Sequence, residues 1–368
     1  MTGSRYTPLV KSLPAALPFV GPEEHERQHG APFRARLGAN ESLFGPSPRA
    51  VAAIRDVAQD VWKYGDRTSH DLRADLTTHH GVASENILVG EGIDGLLGNL
   101  VRLMVGPGDP VVTSDGAYPT FNYHVAGFGG QLHMVPYRDD HEDPKALFNR
   151  ARETGAGLVY LANPDNPMGT WHSGARIAAA LTDLPDGCLL VLDEAYVEFA
   201  PEGTAAEIAG DDPRVIRMRT FSKAHGLAGA RIGYAIGHPD LIRAFDKIRN
   251  HFGVNLMAQV AARAALHDRD WLNHVRAEVD RARQDIGRIA ARCGLRALPS
   301  ATNFVAIECG GDGAFTRRVL DALMARGVFV RMPTVAPQDR CLRVSCGRPE
   351  DLEVLAEALP EALVEARG

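Results

Sequence analysis

"CLLVLDEAYVEF", residues 188–199, is a near-continuous apolar run that stops on an acid, Asp193, with Tyr196 about one helical turn further on. A strand apolar on both faces belongs in a parallel sheet covered by helices on both sides. Asp193 then falls at the strand's carboxyl end, the edge where ligands of open α/β sheets gather. Alone, an aspartate there reads equally well as a helix N-cap. Two further runs share the pattern. "VYLANPDNPMG", 159–169, is a strand entering a turn rich in Asn, Pro and Gly and leaves Asn166 at the same edge. "RVIRMRTFSK", 214–223, ends on Ser222 and Lys223 and is followed by the glycines of "HGLAGAR" and by Arg231. Three strand ends thus present an amide, a carboxylate and an amine.

Outward from these, β-rich runs such as "NILVG", "DPVVTSD", "QLHMVPY" and "ARIGYAIG" alternate with helical patterns such as "GLLGNLVRLMV" and "TFNYHVAGF". Such alternation predicts βα units and a largely parallel sheet. Long helical patterns run to about residue 293, then "NFVAIEC", "VFVRM" and "CLRVSCG" precede a last helix from Pro349, the pattern of a smaller α+β domain. The expected division is an arm over 1–40, a large α/β domain over 41–260 and a small domain over 261–368.

A net charge of -6 argues against a nucleic-acid or anionic-membrane surface and favours small-molecule work. Five scattered cysteines without a C-x-x-C pair fit reduced thiols and a cytoplasmic protein. The run "LPAALPFV", 13–20, is too short and too broken by proline to be a signal-peptide core.

Two motifs point elsewhere. "HERQH", 25–29, has H-E-x-x-H spacing, but the flanking Gly and Pro residues confine any helix to about two turns, with no apolar face and no third ligand downstream; no metal site is expected. "GEGIDG", 90–95, has dinucleotide-loop spacing and opens a helix after a strand, with Asp115 ending the next strand. A glycine turn at a helix N-terminus serves any phosphate, so the loop indicates phosphate rather than NAD.

A free amine is the nucleophile that forms a Schiff base with an aldehyde. Pyridoxal phosphate requires that amine, a carboxylate for its pyridine nitrogen and a phosphate cup. Lys223 and Asp193 supply the first two. Asn166 and Tyr196 suit the ring's phenolic oxygen, and Ser222, Arg231 and the "GIDG" turn suit the phosphate.

These residues resemble the fold-type I pyridoxal-phosphate aminotransferases, and most closely the histidinol-phosphate aminotransferase group. The resemblance spans roughly residues 36–348, through "LGANES", "KYGD", "GIDG", "PTFNY", "NPDNPMG", "DEAYVEF", "RTFSKAHGLAGARIGY" and "LRVSCG" in order. It implies an aspartate-aminotransferase-like fold, Lys223 as Schiff-base lysine, Asp193 as pyridinium partner, and Asn166 and Tyr196 as contacts of the phenolic oxygen. It implies further that Phe121 stacks on the ring and that Ile93, Asp94 and Gly95 amides join Ser222 and Arg231 on the phosphate. Tyr64 would reach the cofactor phosphate of a neighbouring subunit in a homodimer, and Asn40, Arg331 and Arg343 would receive the substrate. The reaction implied is ping-pong amino transfer from glutamate or an amino-alcohol phosphate to a 2-oxo acid, with Lys223 moving the substrate's Cα proton. The chain departs from the family pattern at Lys63-Tyr64-Gly65, at Gly95 and at Asp165, which stands where asparagine is usual. Tyr123 and His124 are further unusual polar groups, His124 reading as a packing residue. The rival readings are a decarboxylase or lyase of the threonine-phosphate decarboxylase type, a non-catalytic binder of the cofactor, and an NAD-dependent oxidoreductase that leaves Lys223, Asp193 and Asn166 unemployed.

Overall fold

The computed structural model describes residues 5–15 and 19–368. A two-residue strand, β1 (Ala35–Arg36), closes the N-terminal arm. The central sheet holds β2 (Ile87–Gly90), β3 (Pro110–Ser114), β4 (Gln131–Val135), β5 (Leu158–Ala162), β6 (Leu189–Asp193), β7 (Val215–Thr220) and β8 (Gly233–Ile236), in the spatial order β2-β8-β7-β6-β5-β3-β4. β8 runs antiparallel to both its neighbours, while β3 through β7 pair parallel. The α/β class expected from the alternating runs is what the chain adopts.

The apolar runs divide their side chains by parity, as a pleated strand must. Leu158, Tyr160 and Ala162 of β5 and Leu189 and Val191 of β6 pack on one face with Leu96, Leu97 and Leu100 of the helix Gly92–Met104 and with Phe121. Val159, Leu161, Leu190 and Leu192 pack on the other face against Leu147, Phe148 and Ile177. Asp193 shares the parity of Val191, and its register partner is Ala162, so the acid rises from the first face at the carboxyl edge.

Beyond this sheet lie β9 (Arg296–Ala297), β10 (Phe304–Glu308), β11 (Val328–Phe329) and β12 (Cys341–Ser345). β9, β10 and β12 form an antiparallel sheet, and β11 pairs parallel with β1 of the arm. Ala35 and Leu37 join the core of the long helices Arg269–Arg292, Gly313–Ala325 and Pro349–Arg367. The arm's last residues are therefore packed with the C-terminal third of the chain. Among the described residues, no helix is long and apolar enough to cross a membrane, and the five cysteines are free.

Candidate active site

Asp193 is 5 % exposed and accepts the Tyr160 hydroxyl at 2.6 Å and the Ala195 N–H at 2.9 Å. Burial pushes its carboxyl up to about 6, against those two hydrogen bonds, which favour the anion. Tyr160, two residues before Asp193's register partner on β5, fixes the acid's direction.

Lys223 lies just past β7 and is half-buried. Its Nζ donates to the Asn40 carbonyl at 3.2 Å and sits 5.6 Å from the centre of the Tyr196 ring. Asn40 takes a left-handed backbone, φ 56°, which asparagine tolerates better than most side chains. Its amide donates to the Tyr196 hydroxyl at 3.1 Å, and Ser345 of β12 bonds both its N–H and its side-chain oxygen. Asn40 thus links the lysine, the phenol and the small antiparallel sheet.

Asn166 is 9 % exposed and accepts from Arg343 Nη1 at 2.6 Å. Arg343 also donates to the Gly38 carbonyl at 3.2 Å and lies over the Phe304 ring. Burial lowers its pKa, and its Nε finds no partner among the described residues. Arg331 forms a backbone bridge to Arg343, its guanidinium lying between the rings of Phe19 and Phe329 and donating to the Val20 carbonyl. Burial and the Arg343 charge bring it down to about 10. Both arginines are half-buried and paired with carbonyl oxygens rather than carboxylates, so neither charge is neutralised by an acid at the contacts described.

The glycine turn that the sequence offered for a phosphate lies at the start of the helix Gly92–Met104. Gly92 has φ 76°, and a Cβ on it would stand 2.6 Å from Arg231 Nη2, so glycine makes room for the guanidinium beside the turn. Arg231 lies 3.9 Å from Asp94, and Ser222 accepts from Thr220 Oγ1 at 2.9 Å, leaving its own proton free to turn toward an anion. Ile93 and Gly95 complete the first turn of this helix, where backbone N–H groups lack helical partners.

Phe121 is fully buried, with one face of its ring stacked on Tyr160 at 4.6 Å, the same tyrosine that binds Asp193. The helix Pro119–Gly127 begins with proline, so Tyr118 is its N-cap at the sheet edge while Phe121 lies nearly one turn inside. Tyr118 donates to Asp94 Oδ1 at 2.8 Å and is close enough to feel Tyr196. His124 is half-buried and packs against Gly98, and burial lowers its pKa. Tyr123 is half exposed and outside the constellation. Tyr64 is 79 % exposed and stacked on Phe252, and the structure brings it to none of the other candidates. The glutamate of the H-E-x-x-H spacing, Glu26, is bound to Arg36 Nε at 3.0 Å and to the Phe33 N–H at 2.9 Å.

A mostly parallel α/β sheet with amine, acid, amide and phosphate turn at one edge defines a fold-type I pyridoxal-phosphate enzyme. Residues 35–359 match the family described as aminotransferase class I and II, and the chain belongs to that family. A histidinol-phosphate aminotransferase of Roseiflexus castenholzii is 35% identical over 364 residues, covering 96% of this chain and 97% of the relative. One from Carboxydothermus hydrogenoformans is 33% identical over 92% of this chain and 94% of the relative. The solved histidinol-phosphate aminotransferase of Sinorhizobium meliloti, in complex with pyridoxal-5'-phosphate, is 54% identical with a TM-score of 0.95, covering 98% of each chain. Family membership disfavours the oxidoreductase and lyase readings of the sequence.

Proposed function

We propose that this chain transfers an amino group between a histidinol-phosphate-like amino phosphate and a 2-oxo acid such as 2-oxoglutarate, with pyridoxal 5'-phosphate held on Lys223. The residues fit the cofactor. Among the described residues Lys223 is tied only to a carbonyl and a ring and the Arg343 Nε has no partner, while Gly92 makes room for Arg231. When bound, the cofactor supplies an electron sink for the carbanion left at the substrate's Cα.

The protein supplies the rest. Asp193, as carboxylate, stabilises a protonated pyridine nitrogen. Asn166 and Tyr196 would orient the ring through its phenolic oxygen, and Phe121 would stack on it. Ile93, Asp94, Gly95, Ser222 and Arg231 anchor the phosphate. Lys223, as a free amine, would act as the base that takes the substrate's Cα proton and as the acid that gives it back in the transfer. Arg343 and Arg331 bind the substrate's anionic groups, with Asn40 holding Lys223 and Tyr196 in register. Tyr64, exposed beside Trp62 and Phe252, would serve a second copy of the chain in a homodimer with shared sites. Unpaired thiols and the family's biosynthetic chemistry favour the cytoplasm.

The observation that carries this reading is that Lys223, Asn40 and Tyr196 contact one another and Arg343 of β12 contacts Asn166, with Asn166, Tyr196 and Lys223 each just past the carboxyl end of β5, β6 or β7. The test is a donor screen with histidinol phosphate, aromatic amino acids and glutamate, each with 2-oxoglutarate or another 2-oxo acid, followed by the mass of the keto product. Carbon dioxide release without amino transfer would favour a decarboxylase.

A further inference from the structure

Two acids that the transfer reaction does not use lie beneath the turn carrying Asn166. Glu142, 2 % exposed, precedes the helix Pro144–Thr154 and accepts the Ser114 hydroxyl at 2.6 Å and the Ala162 N–H at 2.9 Å. Asp165, also 2 % exposed, accepts the Tyr137 hydroxyl at 2.7 Å and the Met168 N–H at 2.9 Å. The two carboxyls are within hydrogen-bond reach of each other. Each of the four oxygens thus has a neutral donor. The charged and titratable groups that face the pair are Arg343 and Tyr137 on the side of Asp165, and Asp193 on the side of Glu142. Tyr160 lies close to Glu142, and the His172 ring meets the Glu142 carbonyl at 2.6 Å.

Adjacent carboxylates out of water, with no cation bound directly to either, cannot both ionise; one proton between them removes the repulsion and adds a strong hydrogen bond. We propose that Glu142 and Asp165 share one proton and that this acid pair is a positioning element for Asn166, fastening its turn to the loop after β4. The inference rests on the reading of Asn166 as a contact of the cofactor. Burial raises both acids above the ordinary carboxylate range, in keeping with a retained proton. Where the family pattern has asparagine, an amide N–H would fill the gap that a proton fills here, and that N–H does not titrate.

The sign of the effect follows from linkage. The folded state holds the proton more tightly than the unfolded chain. The stability it contributes is full below the unfolded carboxyl range and is lost as pH rises through the raised folded values. Thermal unfolding of the full chain without cofactor is compared from about pH 5 to about pH 9 for wild type, Asp165→Asn and Glu142→Gln. Wild type is expected to lose roughly 3–6 °C more over this range than Asp165→Asn. Its affinity for added pyridoxal phosphate is expected to fall roughly tenfold more steeply over the alkaline half than that of Asp165→Asn. Carbon-13 carboxyl NMR on wild type needs no variant to fold, and one Asp and one Glu carbon should titrate together in two steps. Parallel pH slopes in wild type and Asp165→Asn, or the absence of a jointly titrating Asp–Glu pair, overturns the proposal. Neither result touches the aminotransferase reading, because none of these readouts requires turnover.

Discussion

Arg343→Met separates a guanidinium kept for substrate from one kept for structure. Methionine preserves an unbranched apolar stem over Phe304 while removing the charge. In the free protein Arg343 donates to Asn166 and Gly38, and its Nε has no partner among the described residues. Two hydrogen bonds from a charged donor to neutral acceptors contribute roughly 1.5–3 kcal/mol each, so their loss costs roughly 3–6 kcal/mol. Against this, taking an unpaired guanidinium out of water costs several kcal/mol, and that cost disappears with the charge. The two effects nearly offset, so the apparent melting temperature should move by less than about 4 °C in either direction. Substrate binding has no such offset. Pairing this fork with an acid in a desolvated site is worth roughly 2–5 kcal/mol, so kcat/KM for acidic donors should fall by roughly 30-fold to several thousand-fold. Steady-state kinetics with donors that carry or lack the anionic group, beside thermal melts, measure both quantities. A large loss of stability with unchanged discrimination between donors would show that Arg343 is structural and refute the reasoning.

Lys223→Ala should abolish turnover while the chain still binds the cofactor noncovalently; activity assays and equilibrium dialysis check both halves. Asp193→Asn should cost several kcal/mol of transition-state stabilisation, and a rate loss below tenfold counts against its assignment. The same variant tests linkage. Asp193 is raised to about 6 in the folded chain, so its contribution is full below the unfolded aspartate range and lost as pH rises through about 6. That is a loss of about 3 kcal/mol in cofactor-free wild type, which Asp193→Asn should lack in denaturant titrations across that range. Phe121→Ala should cost roughly 3–5 kcal/mol of stability, as a buried aromatic in a packed core. Arg331→Ala should impair phosphorylated or doubly acidic donors while sparing simple amino acids, read as kcat/KM for each type; equal losses for both would remove it from the substrate site.

The fold and the cofactor edge were legible because both rest on short-range pattern. Apolar runs closed by Asn166, Asp193 and Lys223 define parallel strands and their carboxyl ends without knowledge of partners. The family motif places an aromatic near Pro119 but does not fix how deep it sits; the helix start decides that, with Tyr118 as N-cap and Phe121 buried nearly one turn inside. Tyr160 went unnoticed as a partner of Asp193 because its hydroxyl lies within an apolar run, although its parity with Val191 was a usable signal. The stacking of Phe19 on Arg331 joins residues over three hundred positions apart, and no local pattern announces it. Glu142 was equally silent, since a lone acid in a polar loop acquires meaning only when β3 and β5 close over it.

The most direct test of the central claim is borohydride reduction of the pyridoxal-phosphate-loaded chain, followed by peptide mass mapping. The account predicts one phosphopyridoxyl label, on the peptide containing Lys223, formed in step with loss of activity and prevented when an amino donor is added first. A label on another lysine, or none on a chain that still transfers amino groups, would contradict it.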